Sequence, residues 1–157
     1  EHAAQAKQIT LTALPFQGSA AFDPRWTGEA LGNVVNNAVK YTPDGGTVTV
    51  SAQMLDSFCR VDVADTGPGI PENEQGEIFH RFFRGESTRA AEGVGLGLYL
   101  AREILTKQGG YIKVASQPGK GSVFSLYLPR ENQNAEKAGA ELPEARIVSP
   151  VQRKDKR

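Results

Sequence analysis

A strand that ends on an acid and then breaks into glycines constrains this chain more than any other stretch in it. Phe58-Cys59-Arg60-Val61-Asp62-Val63-Ala64 alternates with the period of two that marks a strand. Asp65-Thr66-Gly67-Pro68-Gly69-Ile70 follows at once. A carboxylate at a strand end, followed by residues without Cβ atoms, forms a cavity lip on which a flat ligand can lie against backbone. Asp, Gly and Pro are also the ordinary turn residues. The hexapeptide alone leaves both readings open.

Bulk properties remove several function classes. The 157 residues suit one domain with a real core. Lys and Arg total 18, and so do Asp and Glu, which leaves no bulk attraction for nucleic acid or an anionic membrane. Cys59 is the single cysteine, so an intrachain disulfide is impossible and a reducing, cytoplasmic setting is expected. It shares an alternation face with Val61 and Val63, which points to packing. No apolar run approaches the roughly 20 residues that cross a bilayer, and no signal peptide is visible. The chain begins Glu1-His2-Ala3 with its only Met at position 54, so it reads as a fragment of a larger protein.

Local patterns predict the elements in order. Ile9 to Leu14 alternates like a strand, and Pro15 to Ala21 reads as a loop or a weak strand. Asp23-Pro24 is a helix start, with Asp at the N-cap and Pro at the first position. That helix is expected to reach Tyr41 and stop at Thr42-Pro43-Asp44-Gly45-Gly46. Thr47 to Leu55 and Phe58 to Ala64 form a hairpin about Asp56-Ser57. Ile78, Phe79, Phe82 and Phe83 share one face of a short predicted helix, and the charged stretch after Gly85 reads as a mobile loop. A further helix runs to Gln108 and closes on Gly109-Gly110. Tyr111 to Gln117 and Ser122 to Leu128 are two more strands. Residues 130–157 are polar and poor in aliphatics, so they are expected to be a disordered tail.

The first helix carries an unusual choice of residues. Glu29, Asn33, Asn36, Asn37 and Lys40 fall on one face, opposite Ala30, Leu31, Val34, Val35 and Ala38. Asparagine in a helix interior costs up to roughly 0.7 kcal/mol relative to Ala. A solvated polar face remains one reading, although Glu, Lys and Gln serve it better. Two asparagine carbonyls one turn apart, at Asn33 and Asn37, suit a hard cation such as Mg²⁺, which fills its shell with water and phosphate oxygens. Lys40 stands one turn on as a counter-charge, and Asn36 lies to one side in solvent.

Gly93-Val94-Gly95-Leu96-Gly97 opens into the next helix. Free N–H groups and the helix dipole favour phosphate there, although a flexible hinge has the same composition. A Rossmann fingerprint fails because position 98 is Leu, and a Walker A loop fails because position 114 is Val.

Taken together these stretches resemble a known family. Asn33-x-x-x-Asn37-Ala38-x-Lys40-Tyr41-Thr42, then Asp65-x-Gly67-x-Gly69, Phe79-x-x-Phe82-Phe83-Arg84 and Gly93-x-Gly95-Leu96-Gly97-Leu98 are similar to the N, G1, F and G2 boxes of sensor histidine kinases. The resemblance covers residues 9–129 and implies an ATP-binding catalytic domain over 1–129, with the tail beyond it. The implied fold is an α/β two-layer sandwich, a mixed and mostly antiparallel sheet of about five strands with helices on one face, known as the Bergerat fold. It implies that Asp65 accepts the adenine amine, with Gly67, Gly69 and Ile70 around the base. Asn33 and Asn37 would hold Mg²⁺, and Lys40 and Tyr41 would meet phosphate or ribose. Gly93, Val94, Gly95, Leu96 and Gly97 would form the phosphate end of a lid. Phe83 and Arg84, or Arg89, would stand nearby, and Ser122 would place a hydroxyl near adenine.

The same resemblance implies transfer of the ATP γ-phosphoryl group to a histidine on a separate helical-hairpin domain, which also dimerises the protein, with a response regulator downstream. Neither His2 nor His80 has the context of such an acceptor. Related ATPases carry a water-activating Glu in the slot that Asn33 fills here. Glu29 lies a further turn back, about 6 Å away along the axis. Two other readings stay open: an ATP-hydrolysing relative, and an anti-sigma-type serine kinase or regulatory nucleotide-binding module.

Overall fold

The computed structural model describes residues 4–5, 7–16, 18, 20, 22–81 and 96–130. In it five strands, β1 (Thr10–Ala13), β2 (Thr47–Met54), β3 (Phe58–Asp65), β4 (Tyr111–Gln117) and β5 (Gly121–Pro129), join in the order β1-β2-β3-β5-β4. β1 runs parallel to β2, and every other pair is antiparallel. Helices α1 (Pro24–Tyr41) and α3 (Gly97–Lys107) cover one face, and a one-turn helix α2 (Glu72–Gln75) follows β3.

Alternation along the strands decides which face is covered. Cys59, Val61 and Val63 of β3 point inward with Phe124, Leu126 and Leu128 of β5, and all are buried. Val61, Val63, Phe124, Leu126 and Leu128 meet Ala30, Val34 and Ala38 of α1 and Ala101 and Leu105 of α3 in one core. Burying side chains of this size stabilises by about 1.5–3 kcal/mol each for the larger ones. Cys59 is fully buried, and burial raises its thiol pKa while Arg130 opposes the shift, so it packs as an inert apolar group. On the other face Tyr111 stacks on Tyr127 at 4.2 Å between ring centres, with Phe58 edge-on to both.

Helix ends are fixed by side chains. The Asp23 carboxylate accepts the N–H groups of Arg25 and Trp26 at 3.0 and 3.1 Å. Gln108, just after α3, accepts the Asp23 N–H at 2.7 Å and donates to the Thr27 hydroxyl at 3.1 Å. This bond ties the end of α3 to the start of α1, so the two helices lie antiparallel. α3 ends in a Schellman motif: Gly109 has φ +81°, and the Gly110 N–H reaches the Leu105 carbonyl at 2.8 Å. At the far end of α1, the Lys7 ammonium donates to the carbonyls of Val39 and Lys40 at 2.9 and 2.8 Å. These are last-turn carbonyls with no partner inside the helix.

Among the described residues, no helix forms at Ile78 and Phe79. α2 ends at Gln75, before Gly76, and the chain continues to Arg81 in turns such as His80 N–H to Glu77 C=O at 2.9 Å. Phe79 is buried by packing edge-on against Phe124 at 6.2 Å. Tertiary packing rather than helical periodicity places it. No strand forms among the described residues of 14–22. Phe82, the charged loop and the tail lie outside the described residues.

Replacing Lys7 with Met is expected to lower unfolding free energy by about 1–2 kcal/mol, because it strips a cation from the end of α1. Urea unfolding would show a lower midpoint with an unchanged slope. An unchanged midpoint would mean the contact contributes nothing.

Candidate functional site

The loop after β3 is locked to the β4–β5 turn. Gly69 has φ +76°, and a Cβ there would run into the Gln117 carbonyl and approach the Pro118 Cα at 2.9 Å. Gly121, with φ +89°, would likewise press on the Asp65 carbonyl. Both positions therefore require glycine. Hydrogen bonds complete the lock. The Gly119 N–H meets the Pro68 carbonyl at 2.8 Å, and the Ile70 N–H meets the Ser116 hydroxyl at 2.8 Å. Gln75 of α2 donates its amide to the carbonyls of Ile70 and Ser116 at 2.9 and 3.0 Å.

Asp65 is held by this frame. Its carboxylate accepts the Gly67 N–H at 2.9 Å, and Asp65 faces Ser122 across the β3–β5 ladder. Both residues line a cleft of about 600 Å³ with Ser116, Gln75, Lys120 and the small side chains of Ala64 and Ala115. Burial raises the Asp65 pKa above the ordinary carboxylate value, opposed by backbone N–H bonds from Gly67 and Ser122. The carboxyl is thus partly desolvated and keeps acceptor capacity for a donor from outside.

α1 links this lip to a second cluster. Its last residue, Tyr41, lies against Gly67, where a Cβ would sit 3.4 Å from the Tyr41 carbonyl. The Lys40 ammonium lies over the Tyr41 ring at 5.5 Å. Eight residues back, about 12 Å at 1.5 Å per residue, Asn33 faces Gly97 at the start of α3, where a Cβ would be 3.9 Å from that of Asn33. The Asn33 amide nitrogen is buried with no hydrogen-bond partner among the described residues. Such an orphan costs about 1–3 kcal/mol unless something else meets it. Asn37 is half-buried on the same face, while Asn36 and Glu29 are exposed. Leu96 and Gly97 form the start of α3. Phe83, Arg84, Arg89, Gly93, Val94 and Gly95 lie outside the described residues.

α1 thus presents Asn33 to the start of α3 and Tyr41 to the Gly67 turn that follows Asp65. Residues 22–132 match the family of histidine kinase-, DNA gyrase B- and HSP90-like ATPases. The chain belongs to this family. An adaptive-response sensory kinase, SasA, of Thermosynechococcus vestitus is 47% identical over 102 residues, which cover 64% of this chain and 27% of that protein. A mycobacterial sensor histidine kinase, MprB, superimposes with TM-score 0.70 at 33% identity, covering 84% of this chain and 91% of that one. Full-length ShkA, in complex with AMPPNP, gives TM-score 0.71 at 28% identity over 83% of this chain and 27% of its own. The relatives are sensor histidine kinases, and the sheet with its helices on one face is their Bergerat fold. The chain spans about a quarter of the length of the curated relatives it matches.

Ser116, Gln75 and Gly121 were not among the expected site residues, although a signal existed for Ser116, as it did for Ser122. Ile112, Val114 and Ser116 alternate inward on β4, and Ser122, Phe124, Leu126 and Leu128 do so on β5. A hydroxyl at an inward position of an otherwise apolar face marks a polar task. Asp65 obeys the same rule on β3 of this ATPase-family fold, after Cys59, Val61 and Val63.

The raised Asp65 pKa fixes a pH dependence. The folded chain binds this proton more tightly than the unfolded chain. The resulting stability is complete below the ordinary value of 3.8 and is lost as pH rises through the raised value. Asp65→Asn is therefore expected to be more stable than wild type at pH 7 without nucleotide, with the advantage fading toward pH 4. Thermal unfolding at both pH values tests this; a constant difference would refute the cause given.

Proposed function

We infer that this domain binds Mg-ATP and passes the γ-phosphoryl group to a histidine of a helical-hairpin domain elsewhere in the same protein. The observation that carries the reading is a desolvated, acceptor-bearing Asp65 beyond one end of α1 together with, two turns back along α1, the buried Asn33 amide N–H, a donor without a partner among the described residues that suits a phosphate oxygen. Asp65 takes the exocyclic amine of adenine, with Gly67, Gly69 and Ile70 forming the wall and Ser122 alongside. Tyr41 and Lys40 meet ribose and phosphate. Asn33 and Asn37 fit Mg²⁺ as neutral oxygen ligands, and the bound ion would neutralise phosphate charge. Leu96 and Gly97 offer N–H groups of a helix start to the phosphates, with Phe83, Arg84 and Gly93 to Gly95 completing the lid.

The kinase reading is preferred to hydrolysis because no carboxylate fills the turn where a water-activating base is needed. Asn33 occupies that position, and Glu29 is exposed to solvent. ATP is then held intact until a neutral imidazole arrives, itself a competent nucleophile, so that positioning supplies most of the catalysis. Such a domain works in the cytoplasm, where ATP is, and a response regulator would take the phosphoryl group onward.

Asn37→Ala is expected to abolish Mg-dependent ATP binding by calorimetry while leaving the circular dichroism unchanged. Unaltered affinity would remove the metal assignment. Mixed with ATP and a supplied hairpin domain, the wild-type chain is expected to yield acid-labile phosphohistidine and to hydrolyse ATP only slowly on its own. Rapid steady hydrolysis by the chain alone would favour an ATPase instead.

A further inference from the structure

The Ser116 hydroxyl sits at a crowded junction, and its single proton can be assigned. Its oxygen lies 2.8 Å from the Ile70 N–H, 2.9 Å from the Gly121 carbonyl and 2.8 Å from the Ser122 hydroxyl. Ile70 can only donate, so it takes one Ser116 lone pair. Gly121 C=O can only accept, so it takes the Ser116 proton. Ser116 then has one lone pair left and no hydrogen. The contact with Ser122 is a hydrogen bond only if Ser122 donates. Any other assignment sets two oxygens face to face at under 3 Å with no proton between them. Ser122 is 6% exposed, and its chain position opposite Asp65 puts it on the lip of the same cleft.

We propose that Ser116 is a specificity-determining residue that acts through Ser122: by taking the Ser122 proton it leaves the Asp65–Ser122 edge of the pocket with acceptors only. This rests on the adenine-nucleotide reading above and deepens it. An acceptor-only edge matches a 6-aminopurine, whose amine donates to Asp65. A water that donates one hydrogen to Ser122 gives its second to the ring nitrogen. A 6-oxopurine meets the same edge with a carbonyl oxygen against the Asp65 carboxylate. Its protonated ring nitrogen also opposes the hydrogen of that water. Freed from Ser116, the Ser122 hydroxyl can rotate and donate to a 6-oxo group. Ser116 itself touches no ligand in this scheme and is a positioning residue.

The test compares binding of Mg-ATP and Mg-ITP, which differ at the purine 6-position, by calorimetry on the whole chain. Wild type is expected to prefer ATP. In Ser116→Ala the ratio of the two affinities is expected to narrow by about tenfold, equivalent to about 1.4 kcal/mol, and Ser116→Thr, which restores a hydroxyl, is expected to recover it. In a Ser122→Ala background the Ser116→Ala change is expected to leave the ratio alone, because its route is gone. Should Ser116→Ala fail to fold by circular dichroism, Ser116→Cys, of similar size and a far weaker hydrogen-bonding group, carries the same comparison. Equal weakening of both nucleotides, with the ratio intact, would overturn the proposal and leave Ser116 a purely structural residue. A wild-type chain that binds neither nucleotide would instead overturn the nucleotide reading itself.

Discussion

The close approach of two backbones at Gly69 and Gly121 is the constraint on which the rest of the site depends. One brings the loop after β3 onto the Gln117 carbonyl, and the other brings the start of β5 onto the Asp65 carbonyl. Neither contact leaves room for a Cβ, and both glycines hold positive φ. With the backbones touching, the Ile70 N–H finds Ser116 and the Gly119 N–H finds Pro68. A loop of glycine and proline is thereby tied to the β4–β5 turn. Asp65 is consequently fixed in direction and half-stripped of water before any ligand arrives. That is the condition under which a carboxylate discriminates between a donor and an acceptor.

α1 carries this order to the other end of the site. Its inward face is locked by Ala30, Val34 and Ala38, and its ends by Asp23, Gln108 and Lys7. The opposite face then cannot turn away from Gly67 at one end and Gly97 at the other. Asparagines weaken a helix locally, and the Asn33 amide goes without a partner among the described residues. A helix clamped this firmly at both ends can carry those costs, which are small beside the burial of its apolar face. Stability and site construction thus belong to opposite sides of the same element.

Much of this was legible in residue order. The period-two alternation of β3 and β5, the Asp23-Pro24 start and the Gly109-Gly110 stop set element boundaries to within a residue or two of those observed. Asn33, Asn37 and Asp65 stood out because each is a poor local choice for its element. What stayed hidden depended on contacts distant in sequence. Ser116 reads as one more polar residue until β4 and β5 pair and bring it to Ile70. Lys7 looks like a solvated charge until α1 ends beside it. Helical spacing suggested a helix through Phe79, yet that ring is positioned by Phe124 from across the core, and the local chain follows in turns. Local pattern names elements well and fails where tertiary packing sets the conformation.

The Asp65 loop is assembled before any ligand arrives, and amide hydrogen exchange at Ile70 and Gly119 reads this out. Without nucleotide, both amides are expected to exchange as slowly as those of Val61 and Val63 in the middle of β3, with little further slowing when Mg-ATP is added. Exchange at the rate of an unprotected chain until nucleotide binds would show instead that the ligand builds the site, and would contradict the account.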